Sequence, residues 1–147
     1  MTSDDLKPPS FSVMVATYNR ADYLRLCLAC LAAQDYKGDW QIIVADDGST
    51  DHTREVISEA RSNCREPEIQ HCWHEHQMYR RAFILNQASR SADGEILIFL
   101  DSDCIPAENL LTTYAAHFAP EAFYLGGVYY LAQHFSESAL HFNAFAS

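Results

Sequence analysis

Four short apolar runs, each separated from the next by a helix-length stretch, constrain this chain most. They are Phe11 to Ala16 (FSVMVA), Trp40 to Ala45 (WQIIVA), Glu68 to Trp73 (EIQHCW) and Glu95 to Leu100 (EILIFL). Each is short, bounded by polar turn residues, and reads as a strand. Between the first two, Ala21 to Gln34 carries Leu24, Cys27, Leu28 and Leu31 at helical spacing, with Asn19 or Asp22 available to cap or complement its start. Thr53 to Ser62, Met78 to Ser91 and Glu108 to Phe118 read as further helices. Phe123 to Leu131, interrupted by Gly126-Gly127, reads as one more strand. Alternation of this kind predicts an α/β fold: three layers, α/β/α, around a mostly parallel sheet with right-handed crossovers.

At 147 residues the chain is one domain, expected over 11–147 behind a mobile polar segment of ten residues carrying Pro8-Pro9. Ten basic against 20 acidic residues leave a net charge of −10, which argues against nucleic acid and anionic membranes as partners. No apolar run approaches the length of a membrane span. Five cysteines, an odd number in apolar or strand-like contexts, suit a reducing compartment. The expected location is the cytoplasm, peripheral association with the cytoplasmic face of a membrane included.

Ligands of parallel sheets sit beyond the carboxyl ends of the strands. Three polar clusters fall there: Thr17-Tyr18-Asn19, Asp46-Asp47 and Asp101-Ser102-Asp103. Asp101 and Asp103, with one short residue between them, would recruit a hard divalent cation. Mg²⁺ or Mn²⁺ fits, taking its remaining ligands from water and phosphates. The plainer alternative is a solvated turn or a capping residue ahead of Pro106. In Asp46-Asp47-Gly48-Ser49, a carboxylate either serves the turn or accepts a hydrogen bond from an imide N–H such as that of uracil. Tyr18 either offers a stacking face or lines the core at a helix start.

Other signals carry less. Cys27 and Cys30 form a C-x-x-C, but mid-helix on a leucine-rich face, where packing is the expected role. His71-Cys72-Trp73-His74-Glu75-His76, with Cys64, lacks a second ligand pair at zinc-site spacing. It reads as a loop beside the ligand, or as surface. Phe123, Tyr124, Tyr129 and Tyr130 are read as core rather than as sugar-stacking groups.

The blocks VMVATYNR, LACLAAQ, IIVADDGSTDHT and YRRAFILNQASRSADGEILIFLDSDCIP, in this order and spacing, resemble the family 2 glycosyltransferases, whose donor-binding domain has the GT-A fold. The resemblance runs from about Ser12 to Pro106. HQMYRRAFILNQA is most similar to the branch holding bacterial polysaccharide and chondroitin-type polymerases. The resemblance implies a nucleotide-diphospho-sugar donor, a UDP-sugar, with hexosyl or N-acetylhexosaminyl transfer to a glycan or other hydroxyl acceptor. It also implies Mn²⁺ or Mg²⁺ and an inverting displacement.

By the same resemblance Ala16 borders the nucleobase through its backbone and Tyr18 stacks on it. Asp47 reads the uracil, and Arg80 lies close to the nucleotide. Asp101 and Ser102 lie near ribose and phosphates, and Asp103, with Asp101, holds the metal. The departure from the family comes after Pro106, where no general base is found. Glu108 is too near Asp103, Glu121 and Glu137 lack the expected neighbours, and neither His134 nor His141 is assigned to the metal. The chain is therefore read as the donor-binding part, truncated before most of the acceptor region. It is either a transferase domain or a catalytically incomplete fragment acting as a nucleotide-binding or assembly module.

Overall fold

In the computed structural model, which describes residues 7–140, the four apolar runs are strands. They are β1 (Phe11–Thr17), β2 (Trp40–Asp46), β3 (Glu68–Trp73) and β4 (Ile96–Asp101). The helices are α1 (Ala21–Ala32), α2 (Thr53–Asn63), α3 (Arg81–Ser89), α4 (Leu110–His117) and α5 (Gln133–Leu140). The sheet is parallel throughout, in the order β3-β2-β1-β4.

The period-two alternation of a strand divides the core between the two faces of the sheet. Phe11, Val13 and Val15 of β1 point with Ile42 and Val44 of β2 toward Leu24 and Leu28 of α1, Val56 and Ile57 of α2, and Leu111 of α4. Met14, Ile43 and Ala45 point the other way, onto Ile84 and Ala88 of α3. Helices thus cover both faces, as the alternation predicts. Every residue of β1 is buried, because it is central and doubly covered. Removing one such side chain from water is worth about 2 kcal/mol, so this face-by-face match outweighs local propensity.

The structure departs from the sequence reading in four places. Helix α3 begins at Arg81 rather than Met78, because Met78 has φ 64°, outside the helical region. Neither Asn19 nor Asp22 caps α1: Arg20 holds the cap position without a side-chain bond, and Asp51 from the β2–α2 loop accepts the Ala21 N–H at 3.1 Å. Asp22 does lie in the first turn, where its charge suits the helix dipole. Helix α5 was not anticipated at all.

The fourth departure is the segment read as a last strand, 123–131, which forms no strand. A strand exists by pairing, and among the described residues this segment has no ladder partner. The aromatics read as core are consequently in solvent: Tyr129 is 92% and Tyr130 96% exposed, and Phe123 and Tyr124 are exposed as well.

Residues 1–6 of the segment read as mobile, and His141, lie outside the described residues. Lys7 to Ser10 are tied to the domain. Lys7 pairs with Asp39 at 2.8 Å, the Pro9 carbonyl accepts the Tyr36 hydroxyl, and Ser10 N–H donates to Glu95 at 3.0 Å.

Candidate functional site

Strand order reverses at β1, with β2 and β3 on one side and β4 on the other, and a crevice opens there at the carboxyl edge. Register sets its floor: Ala16 lies opposite Ala45 on one side and Asp101 on the other. Two main-chain bonds extend the sheet past the strands, Asp47 N–H to the Thr17 carbonyl (3.0 Å) and Ser102 N–H to the Ala16 carbonyl (2.9 Å). The resulting cleft, about 180 Å³, is lined by Ala16, Thr17, Tyr18, Ala45, Asp47, Tyr79, Arg81, Ile84, Asp101, Ser102 and Asp103. A larger, open groove beside Arg61 and Arg65 at the outer edge of β3 includes Cys64 and His71 of the histidine-rich cluster but none of the residues expected to bind the nucleotide or the metal.

On the β2 side of the cleft both aspartates are buried, and they do different things. Asp46 is 1% exposed. Its Oδ1 accepts the Ser49 N–H at 2.8 Å and its Oδ2 lies 2.9 Å from His71 Nε2, so it builds the turn and does not line the cleft. Asp47 is 4% exposed and does line it. Its Oδ1 lies 2.7 Å from His74 Nε2, and its Oδ2 accepts the Arg80 N–H at 3.0 Å. Beside it Tyr18, 42% exposed, stacks on His76 with ring centroids 4.4 Å apart and planes 15° from parallel.

The two loops carrying Tyr18 and Asp47 are cross-tied. Asn19 takes φ 48°, a left-handed conformation that asparagine tolerates, and its Oδ1 accepts the Thr50 N–H at 2.8 Å. Its own N–H donates to Ser49 Oγ at 2.9 Å. Asp51 joins the starts of both helices, accepting Ala21 N–H and the Thr53 N–H and hydroxyl. Partial burial alone would raise the Asp51 pKa. The bonds from Thr53 and Ala21, with the charge of His52, overcome that and hold the carboxyl below its usual value.

Across β1, Asp101 and Asp103 are exposed on either side of buried Ser102. Asp101 pairs with the Arg81 guanidinium. Among the described residues no group of three or more His, Cys, Asp or Glu side chains could hold a metal ion. The donor set is therefore two carboxylates at an open cleft mouth. Such a set fits a hard divalent cation that keeps several waters and takes further ligands from a phosphate, and it does not fit a closed, all-protein site. In the histidine-rich segment, His71 pairs with Asp46 and His74 with Asp47.

Of the residues named from the sequence, Ala16, Tyr18, Asp47, Asp101, Ser102 and Asp103 line one cleft. Arg80 does not: it reaches the site through its main-chain N–H, while its guanidinium lies 4.1 Å from the Phe83 ring centre and bonds Gln77. The cation in the cleft is Arg81, its neighbour. Two adjacent arginines at a helix start are indistinguishable by spacing, and the rotation of α3 chooses between them. Thr17, placed at this edge by its strand-end cluster but given no role there, lines the cleft too. Its buried Oγ1 has no protein partner, so its hydrogen-bonding capacity remains for a ligand in the cleft. Cys27, by contrast, packs in the core with its thiol pKa pushed well up by burial.

Comparison with known proteins bears on the family and the fold. The glycosyl transferase family 2 model matches residues 12–143. Validoxylamine A glucosyltransferase of Streptomyces hygroscopicus subsp. jinggangensis is 36% identical over 114 residues, 76% of this chain and 26% of that protein. Chondroitin synthase of Escherichia coli is 34% identical over 95 residues, 65% of this chain and 13% of that protein. Among solved structures, mannosyltransferase PcManGT from Pyrobaculum calidifontis, in complex with GDP-Man and Mn²⁺, superposes with a TM-score of 0.68. It is 30% identical and covers 76% of this chain and 33% of its own. TarS of S. aureus in complex with UDP-GlcNAc gives a TM-score of 0.66 at 31% identity, over 73% of this chain and 30% of its own. The chain thus spans about a quarter of the first relative's length, and the fold it shares with these transferases is GT-A.

Proposed function

The chain belongs to glycosyl transferase family 2, and from that premise we propose that it binds the nucleoside diphosphate of a sugar donor, a UDP-sugar, together with Mn²⁺ or Mg²⁺. It would do so as the donor-binding domain, over 11–147, of an inverting transferase acting on a glycan or other hydroxyl acceptor. The observation that carries this reading is the division of one cleft into a side where a buried carboxylate, Asp47, sits beside the exposed ring of Tyr18, and an open, acidic side at Asp101 and Asp103.

Asp47, a buried acceptor, takes the imide N–H of the base while Tyr18 offers its ring face. Thr17 Oγ1 lies on the same side for a further polar contact. Asp101 and Asp103 would hold the cation, which when bound offsets the charge that builds on the departing diphosphate. Arg81, now on Asp101, is the cleft's own cation and would face the phosphates with it. The PcManGT complex with GDP-Man and Mn²⁺ and the TarS complex with UDP-GlcNAc support a nucleotide-sugar ligand and a divalent ion.

A second reading, a nucleotide-binding or assembly module without complete transfer, is favoured by one observation. Among the described residues nothing after Asp103 lines the cleft, so no carboxylate from that region reaches it as a general base. Among the described residues no helix is long and apolar enough to cross a membrane. The five free cysteines suit the reducing cytoplasm proposed as the site of action. Calorimetry tests the donor reading: UDP should bind in millimolar Mn²⁺ and only weakly without it. No heat of binding with metal present would sink it. GDP and dTDP run alongside test the base preference, and sugar transfer from a bound donor separates the enzyme from the module.

A further inference from the structure

Histidines 74 and 76 do not line the cleft but contact two residues that do, Asp47 and Tyr18. His74 Nε2 lies 2.7 Å from Asp47 Oδ1, and since a carboxylate only accepts, the imidazole donates. The ring is itself held, 5.5 Å from that of Phe83 on α3. Arg80 N–H donates to the other oxygen of the same carboxylate. Asp47 is thus clamped at both oxygens, and each oxygen keeps a second lone pair for a ligand N–H.

His76 anchors the neighbouring group. Its Nδ1 lies 2.9 Å from the Asp47 carbonyl, and its ring covers one face of Tyr18. Tyr18 lines the cleft and His76 does not, so the imidazole backs the ring and leaves the other face toward the ligand. The approach is close. A Cβ on Gly48, whose φ is +85°, would come within 2.5 Å of His76 N, so only glycine lets this strap lie on the β2 turn.

We infer that His74 and His76 are positioning residues for nucleobase recognition: His74 fixes the carboxylate plane of Asp47, and His76 fixes the ring plane of Tyr18. The inference rests on the donor-binding reading above and goes beyond it by assigning the groups that pre-set the base pocket. A carboxylate and a ring that already hold their bound orientation lose less freedom on binding, and the gain falls on the base alone.

The test uses the 147-residue chain and its His74→Ala, His74→Gln, His76→Ala and His76→Phe variants. Each is titrated with UDP and, separately, with inorganic pyrophosphate, both in Mn²⁺. Pyrophosphate has no base, so it reports the metal side and the integrity of the fold. Both alanine variants should weaken UDP by about tenfold, the scale of one lost charge-assisted contact, and leave pyrophosphate unchanged. Glutamine at 74 keeps an N–H donor and phenylalanine at 76 keeps a stacking ring, so each should restore most of the affinity. Alanine variants that bind UDP as the parent does overturn the inference and leave the donor-binding reading intact. Parallel loss of UDP and pyrophosphate also overturns it, because the histidines then serve only the scaffold. A parent chain that binds pyrophosphate but not UDP overturns both.

Discussion

Asp46 and Asp47 close β2, and Asp101 and Asp103 close β4, with β1 between them at the same edge of one sheet. The first pair is sealed from solvent, and all four of its carboxylate oxygens have partners, two of them histidine nitrogens. The second pair is open, and among the described residues its one ion pair is that of Asp101 with Arg81. Identical side chains at equivalent ends of two strands that flank β1 are thus set to different tasks. Burial with oriented donors makes a rigid acceptor suited to a neutral N–H, whereas exposure leaves unspent charge suited to a cation. The difference comes from what covers each strand end. The strap from His74 to Arg80 lies over the end of β2, and no equivalent segment among the described residues covers β4.

The contrast can be broken first at Asp46. Asp46→Ala should cost about 2–4 kcal/mol, because it strands His71 and the Ser49 N–H in a buried place. Asp103→Ala should change stability by no more than about 0.5 kcal/mol, as expected of an exposed position. Urea denaturation of the two variants measures both, and equal losses would erase the distinction drawn between the pairs.

The next largest effect is on binding. With Asp103→Ala, the UDP affinity measured in Mn²⁺ should fall by about tenfold or more, to the level seen without metal. Calorimetry with and without the ion checks this, and retained metal dependence would remove Asp103 from the cation site.

A smaller effect sharpens the β2 side. Asp51→Ala removes the acceptor shared by the starts of α1 and α2 and should cost about 1 kcal/mol near neutral pH. The sign with pH follows from a folded pKa below the ordinary 3.8. The stabilisation is complete above 3.8 and is lost as pH falls through the lower folded value. The gap between variant and parent, followed by denaturation midpoint, should therefore close in acid below that value.

Much of this was legible in the residues. Strands β1 to β4 fall within a residue of the apolar runs, since a run flanked by turns and followed by a helix-period stretch has few other ways to bury itself. The acidic clusters fall at strand ends for the same reason, and the topology of a parallel sheet gathers strand ends at one edge. Less legible was anything that depends on a partner distant in sequence. The alternating aromatics of 123–131 look like a strand, but a strand is completed by a neighbour. Nothing in Phe123 to Leu131 says whether one is present.

From the sequence alone came the order of elements as far as α4, the parallel sheet, and the meeting of Tyr18, Asp47 and Asp101 to Asp103 at one edge. These follow from hydrophobic periodicity and chain connectivity, which are local properties. Tertiary structure decided which arginine enters the cleft, that Asp46 builds a turn while Asp47 faces the ligand, and that two histidines stand behind the base-reading groups. Those are questions of helix rotation and of the path of the 74–80 strap. They are settled by packing contacts between residues some thirty positions apart, which a pattern in the chain does not record.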